Sequence, residues 1–180
     1  MVPLSVSDRR LCMTEAEFMA LPESNEHIEL VDGEVVIMPG PSLLHQLISQ
    51  MAFRALADWA GAHPPALVAY APLDVRIGPS RIVQPDLMLW LRPPPLDDRP
   101  IVEPPTLCVE ILSRHGTYDR IAKRLIYAEG GVAEYWIVDP MARNIEVVRG
   151  LATVGFVDGV LTSRELPGFS VGVASLFPAG

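Results

Sequence analysis

Two acidic residues and one lysine occupy settings that suggest chemistry. Asp86 directly follows Pro85, and Glu110 lies in the middle of the apolar run from residue 107 to residue 112. Lys123 is the single lysine in a chain with 14 Lys and Arg residues, so an otherwise arginine-biased sequence uses lysine at this position alone. Two carboxylates and one amine are the minimum set of side chains for metal-assisted cleavage of a phosphodiester bond.

The two carboxylates fall at positions that strand geometry can bring together. Side chains alternate along a strand, so Asp86 shares a face with Met88 and Trp90, and Glu110 shares a face with Cys108. If these two strands are neighbours in the right register, both carboxylates reach one metal ion. Oxygen ligands of this kind, completed by a backbone carbonyl and waters, suit Mg²⁺ or Mn²⁺.

Each carboxylate also has a structural interpretation. Asp86 follows a proline, so it could begin a strand and accept local backbone hydrogen bonds. Glu110 needs a partner in either case, because burying an unpaired carboxylate in an apolar strand is costly. That partner is a metal ion or an arginine such as Arg76 or Arg81.

Lys123 belongs to a segment with the pattern of a helix, from Tyr118 to Glu129. Gly130-Gly131 ends this helix, because glycine readily takes the left-handed conformation. Helical spacing places the lysine at the border between core and solvent. There its ammonium can orient a water molecule or stabilise charge on a phosphate, as a compact charge with an adjustable pKa. A simpler alternative is an ion pair with Asp119, four residues earlier, worth only about 0.2–0.5 kcal/mol.

Three further side chains are weaker candidates. His45 and Gln46 lie in the first turn of a long helix, where amide donors and side chains can meet a phosphate. Exposure to solvent is nevertheless the expected state of both residues. Tyr127, one turn after Lys123, either supports the site or is simply buried.

The elements that position these residues follow from hydrophobic periodicity, caps and turns. A capping box from Thr14 to Glu17 starts a short helix, and Asp32-Gly33 joins the two strands of a hairpin. Ser42 caps a long helix that packs an apolar face on a sheet. The predicted strands span residues 27–31, 34–38, 66–77, 82–91, 106–113, 134–138, 144–149, 152–157 and 160–164, followed by an apolar tail at 166–177.

Composition limits the function. At 180 residues with 49% hydrophobic content, the chain fits one domain over residues 12–180, after a flexible start at residues 1–11. Cys12 and Cys108 have neither zinc nor disulfide spacing, which fits a reduced, cytoplasmic setting. No segment has the length and apolarity of a membrane span. The net charge of −8 argues against a broad nucleic-acid interface, so such contact is local or depends on a metal ion or a partner.

Five segments carry a resemblance to a known family. They are residues 27–35 (HIELVDGEV), 83–87 (VQPDL), 109–113 (VEILS), 118–123 (YDRIAK) and 131–140 (GVAEYWIVDP). In this order they resemble the Uma family of bacterial proteins, which are proposed restriction endonucleases of the PD-(D/E)XK nuclease superfamily. The similarity runs over about residues 14–175, and the last segment is its most specific part.

The resemblance implies a restriction-endonuclease-like core of the α/β (α+β) class, in which helices flank a central mixed β-sheet. It also implies that Asp86 and Glu110 are metal ligands. The carbonyl of Ile111 is an additional implied ligand, and Glu29 a third acidic one. Mg²⁺ or Mn²⁺ is the implied cofactor.

The sequence departs from the commonest superfamily pattern at two places. Leu112 replaces the lysine expected two residues after the second acid, and Lys123 resembles the migrated lysine that this family carries instead. The stretch Ser113-Arg114-His115 differs from the Ser-Pro-Ser or similar run of many relatives. Substrate contacts at that stretch are therefore not defined by the resemblance.

The leading hypothesis is a metal-dependent endonuclease that hydrolyses phosphodiester bonds in DNA, with Asp86, Glu110, Lys123 and Glu29 as catalytic residues. Two alternatives stay open: a non-catalytic binding or regulatory module with the nuclease fold, and a metal-dependent phosphoesterase acting on a small substrate. A homodimer is expected, because nucleases that cut both strands commonly work as symmetric pairs. The apolar tail and 18 prolines are also expected to leave hydrophobic surface to cover.

Overall fold

The computed structural model describes residues 11–22, 27–97, 99–113 and 117–178, with the backbone alone for residues 117–121. Thirteen strands, three α-helices and one 3-10 helix are formed by these residues. In chain order they are β1 (Leu11–Cys12), α1 (Glu15–Met19), β2 (His27–Val31), β3 (Glu34–Met38), α2 (Leu43–Gly61), β4 (Leu67–Tyr70), β5 (Val75–Arg76), β6 (Ile82–Val83), β7 (Leu87–Trp90), β8 (Leu107–Ile111), α3 (Thr117–Glu129), β9 (Glu134–Asp139), β10 (Asn144–Arg149), β11 (Ala152–Val157), β12 (Val160–Thr162), β13 (Ser170–Gly172) and the 3-10 helix Val173–Leu176.

The first sheet is built on the predicted hairpin. β2 and β3 pair antiparallel, and the two turn residues Asp32 and Gly33 have φ of 51° and 82°. Positive φ at both central residues gives the turn a twist that matches the flanking strands, which is why Asp-Gly is favoured there. The strand order in this sheet is β1-β3-β2-β6-β5. The hairpin prediction is confirmed.

The second sheet is the mixed central sheet. Its order is β11-β10-β9-β8-β7-β4, in which β8 and β9 are parallel and the other neighbours antiparallel. Parallel neighbours need a crossover connection, and α3 supplies it between β8 and β9. A separate two-stranded ribbon pairs β12 with β13. The predicted class, a mixed sheet flanked by helices, is confirmed.

Two hydrophobic clusters lie on opposite faces of the central sheet. Alternate residues of β7 and β8, such as Leu87 and Val109, point to the α2 face and pack with Ile48. Met88 and Cys108 point to the other face, where α3 packs. The alternation predicted for β7 and β8 is therefore confirmed.

Two long predicted strands are each divided between the sheets. The segment 66–77 forms β4 in the central sheet and β5 in the first sheet, and 82–91 forms β6 in the first sheet and β7 in the central one. Pro72 and Pro85 lie at the two crossings. Proline has no N–H to donate to a ladder, so pairing ends there and the chain changes sheets.

The helix caps agree with the sequence, but the buried face of α2 differs. Thr14 and Glu17 form the capping box of α1, and the Ser42 side chain accepts from the first turn of α2. The predicted apolar face of α2 comprised Leu44, Leu47, Ile48, Met51, Ala55, Leu56 and Trp59. Ile48, Leu56 and Trp59 are buried as predicted, whereas Leu44, Leu47 and Met51 are exposed. The buried residues are Ile48, Ala52, Leu56, Trp59 and Ala60. Apolar residues occur on α2 both at the positions that pack on the sheet and beside them, so the sequence pattern alone did not define the buried side of the helix.

The apolar tail completes the core. Leu166, Phe169, Val173, Leu176 and Phe177 are buried in the cluster on the α2 face. The expectation that this tail leaves apolar surface for a second chain is therefore wrong. At the other terminus, Leu11 of the expected flexible start pairs with Val35, and residues 1–10 lie outside the described residues. Across the described ranges, no helix combines the length and apolarity needed to cross a bilayer.

Replacing Phe169 with alanine tests the role of the tail. Removal of a buried aromatic side chain leaves a cavity as well as losing apolar burial, so we expect Phe169→Ala to lower the free energy of unfolding by about 3–5 kcal/mol. Urea denaturation followed by circular dichroism measures the change. Leu96→Ala, at an exposed position, is the control and should stay within about 0.5 kcal/mol. Equal stability of the two variants would show that the tail does not hold the core together.

Candidate active site

Asp86 and Glu110 face each other at the ends of neighbouring strands. β7 and β8 are antiparallel with Leu87 opposite Val109, so Asp86, one residue earlier, lies opposite Glu110. Glu110 points to the α3 face, where it contacts Lys123 and Tyr127. Each carboxylate side chain is 12% exposed. The register therefore brings the two predicted acids together at the edge of a buried cluster.

Asp86 is held by two donors. Its Oδ2 accepts the backbone N–H of Ile111 at 2.8 Å and contacts His45 Nε2 at 3.1 Å. The backbone bond comes from the neighbouring strand β8, not from the local turn that the structural interpretation proposed. These contacts fix one carboxylate oxygen of Asp86 beside Glu110.

Glu110 is paired with α3 instead of an arginine. Its Oε1 accepts hydrogen bonds from Lys123 Nζ at 2.9 Å and from the Tyr127 hydroxyl. Arg76 and Arg81 pair with acidic residues of α1, the hairpin turn and the end of α3. Burial, and then the charge of Glu110, raise the pKa of Tyr127, so its hydroxyl keeps the proton that it donates. The weaker candidate Tyr127 thus belongs to the cluster.

Lys123 is buried, although the sequence placed it at the border with solvent. Its side chain is 4% exposed, and Nζ contacts Glu29 Oε1 at 2.6 Å as well as Glu110. A buried ammonium requires paired, hydrogen-bonded partners to offset its loss of hydration. Two carboxylates on different sheets fulfil that requirement. The side chain of Asp119, the alternative partner, lies outside the described side chains.

Glu29 lies on β2, in the first sheet, and its side chain is 1% exposed. Besides Lys123, its Oε1 accepts the backbone N–H of Gln84 at 2.8 Å, and His27 Nε2 lies 3.5 Å away. Burial alone would raise the pKa of Glu29, but the charge of Lys123 and the hydrogen bonds outweigh it. The net pKa is lowered, so Glu29 is a carboxylate at neutral pH.

His45 is in the cluster, whereas Gln46 is exposed to solvent. Burial lowers the pKa of His45, but the hydrogen bond and charge of Asp86 outweigh it and the net pKa is raised. The expectation that His45 is exposed is wrong. A signal was present in the sequence, because His45 precedes Ile48 and Ala52 at helical spacing and so lies on the buried face of α2.

Gln84 was not recognised as a site residue from the sequence. Its backbone N–H holds Glu29, and its Nε2 donates to Asp74 Oδ1 at 2.8 Å. Gln84 Oε1 is buried with no hydrogen-bond partner among the described residues. The available signal was its position two residues before Asp86, where the chain passes between the sheets.

The ligand set suits a hydrated ion better than an all-protein cage. Among the residues that the structure describes, no three His, Cys, Asp or Glu side chains form a group that could hold a metal. Mg²⁺ commonly keeps several waters and binds one or two carboxylates. Asp86 and Glu110 fit that requirement in number and chemistry. The carbonyl of Ile111, whose N–H already contacts Asp86, is the expected additional oxygen.

Similarity to known proteins agrees with the fold. The mixed sheet flanked by helices is the core that the resemblance to nucleases of the restriction-endonuclease class implies. A family model described as "Uma2: Putative restriction endonuclease" matches residues 15–174. The chain therefore belongs to the Uma2 family.

The fold is shared with a solved structure. It is described as the crystal structure of a putative nuclease belonging to DUF820 from Anabaena variabilis ATCC 29413. The TM-score is 0.80 at 19% sequence identity, over 92% of this chain and 97% of that chain. No curated protein matches the sequence.

The lowered pKa of Glu29 predicts a pH-dependent contribution to stability. A carboxylate with a depressed pKa stabilises the fold above its usual pKa of 4.5 and loses that contribution as the pH falls through its folded value. We expect Glu29→Gln to be less stable than wild type by about 2 kcal/mol at pH 7. The difference should shrink as the pH falls below 4.5.

Urea denaturation of both proteins at pH 7, 5, 4 and 3 measures this difference. Glu103→Gln, at an exposed position, controls for the introduction of glutamine and should differ from wild type by less than about 0.5 kcal/mol. A Glu29→Gln deficit that is constant from pH 7 to pH 3 would contradict the assignment of Glu29 as a buried, charged partner.

Proposed function

We propose that this protein is a metal-dependent endonuclease that hydrolyses phosphodiester bonds in DNA. One observation carries the proposal: Asp86, directly before β7, lies opposite Glu110 on β8, with the Lys123 ammonium bonded to Glu110. Membership of a family described as putative restriction endonucleases supports the same reaction class.

Asp86 and Glu110 would hold Mg²⁺ or Mn²⁺. When bound, such an ion neutralises phosphate charge and acidifies a water molecule. His45 and the Ile111 N–H keep Asp86 in place, and Tyr127 keeps Glu110 in place. Holding both carboxylates before the ion binds reduces the reorganisation that the site needs.

Lys123 would act on the reacting phosphate or on the attacking water. Its ammonium has three N–H donors, and hydrogen bonds to Glu29 and Glu110 orient it. A cation fixed in a largely dry site stabilises negative charge that develops on phosphate oxygens in the transition state. Lys123 would therefore supply the positive charge that a lysine at position 112 supplies in the commonest superfamily pattern.

A non-catalytic binding or regulatory module is the second candidate. The net charge of −8 disfavours a broad electrostatic contact with DNA, and the amine is engaged by two carboxylates. In that case the cluster would serve to join the two sheets. The same acidic charge makes the proposed DNA contact local, at the metal site.

We further propose a homodimer in the bacterial cytoplasm. Cutting both strands of a duplex favours a symmetric pair of active sites. Leu43, Leu44, Leu47 and Met51 are exposed along one side of α2, and this side is a candidate contact surface in place of the buried tail. Light scattering of the purified protein gives the oligomeric state.

A cleavage assay tests the proposed reaction. We expect wild type to cut labelled DNA with Mg²⁺ or Mn²⁺ and to stop cutting when EDTA removes the ion. Asp86→Asn and Lys123→Met preserve side-chain volume, and each should lower the cleavage rate by roughly 100-fold or more. Asp97→Ala, which removes an exposed acid from the proline-rich loop, should cut at the wild-type rate.

Two results would exclude the proposed DNA endonuclease. A folded wild type that binds Mn²⁺ but cuts neither single-stranded nor duplex DNA would favour the binding module. Metal-dependent hydrolysis of a small phosphodiester without cleavage of DNA would instead identify a small-substrate phosphoesterase.

A further inference from the structure

The amine of the candidate site belongs to Lys123 on helix α3, and not to a residue that follows Glu110 on the neighbouring strand. Leu112, two residues after Glu110 and directly after the end of β8, packs its side chain against the cluster on the α3 face. Position 112 therefore brings no amine to the site. Lys123 must reach Glu110 from α3, in a neighbouring layer, and its flexible side chain needs a second contact to define where the ammonium lies.

Glu29 supplies that second contact. Its Oε1 lies 2.6 Å from Lys123 Nζ, closer than the 2.9 Å between Nζ and Glu110 Oε1. The same oxygen accepts the Gln84 backbone N–H at 2.8 Å. Because a backbone amide cannot change rotamer, it holds the Glu29 carboxylate rigidly. The Gln84 amide lies only two residues from Asp86, so one short stretch of backbone positions both acids.

The surroundings of Glu29 do not suit a metal ligand. Its side chain is 1% exposed, against 12% for Asp86 and for Glu110. A Mg²⁺ ion that keeps part of its water shell binds where water can follow it. The same Glu29 oxygen, Oε1, also already accepts the Lys123 ammonium at 2.6 Å and the Gln84 N–H at 2.8 Å.

We propose that Glu29 is a positioning residue for Lys123 and not a third metal ligand. This inference rests on the proposed nuclease function and defines how the site works. The Glu29–Lys123 pair, formed between β2 and α3, replaces the lysine that β8 lacks. Asp86 and Glu110 hold the ion, and Glu29 determines where the neighbouring ammonium points.

Glu29→Gln removes the charge of this carboxylate and keeps its size. Lys123 then loses its nearest charged partner and keeps Glu110, so its ammonium moves toward Glu110 and away from its catalytic position. Misplacement of a reacting group by about 1 Å can cost roughly 100-fold in rate. We expect kcat to fall by roughly that factor. KM should change little, because a group that acts only in the transition state does not contribute to substrate binding.

The experiment compares wild type with Glu29→Gln, Lys123→Met and the double variant at saturating Mn²⁺. Residues that act as one unit have strongly non-additive effects. The double variant should therefore lose no more activity than the more impaired single variant. Mn²⁺ affinity, measured by electron paramagnetic resonance, should stay within about threefold of wild type in Glu29→Gln and fall by about tenfold or more in Asp86→Asn.

Glu134→Gln is the matched control. Glu134 is equally buried, at 1% exposed, and bonds to Trp136 and Arg149. It lies at the opposite end of the β8–β9 pair from Glu110, since it faces Leu107. Glu134→Gln should lose stability in urea but keep the wild-type kcat. Glu134→Gln therefore shows the effect of losing a buried carboxylate in general, and any further loss of kcat in Glu29→Gln reports the misplacement of Lys123.

Three results would overturn the assignment of Glu29. They are a fall in Mn²⁺ affinity as large as that of Asp86→Asn, losses that multiply in the double variant, and wild-type kcat in Glu29→Gln. If circular dichroism shows that a Lys123→Met protein does not fold, kcat and Mn²⁺ affinity of Glu29→Gln decide between the roles. Absence of cleavage by wild type would instead refute the nuclease itself, and this role of Glu29 with it.

Discussion

The buried ammonium of Lys123 is the constraint on which the arrangement of the molecule depends. A charge removed from water must be paired and hydrogen-bonded, or it destabilises the fold. Lys123 meets this condition with Glu29 on β2 and Glu110 on β8. One cation thereby joins the hairpin sheet, the central sheet and α3. The same contacts that hold the two sheets together also determine the geometry of the candidate active site.

The path of the chain between the sheets explains why the acids meet at this place. Pro85 interrupts pairing as the chain leaves β6, and Asp86 follows immediately as the chain enters β7. Its side chain lies beside Glu110 because the β7–β8 register is antiparallel with Leu87 opposite Val109. The segment that crosses between the sheets therefore also carries one acid of the candidate site, so small changes in packing there would affect both the crossing and the site.

Local features of the fold were predictable, and features set by packing were less so. The Asp32-Gly33 turn and the caps at Thr14 and Ser42 depend on residues a few positions apart, so their sequence patterns were sufficient. The divided strands were missed, because apolar residues are suitable for either sheet. Helical spacing places His45 on the buried face of α2, but its polar side chain led to the wrong expectation that it is exposed to solvent. The burial of the tail depends on contacts with distant elements.

The sequence by itself determined which side chains could do chemistry and the elements that carry them: two acids next to or within strands, a single lysine on a helix and a third acid before a hairpin turn. Only the tertiary structure decided how these residues are paired. Lys123 is 94 residues from Glu29 and 13 from Glu110, and strand register and helix packing, not local propensity, set such distances. Burial and the neighbouring charges then decided whether each group is charged, because the free-energy cost of a charge depends on its surroundings.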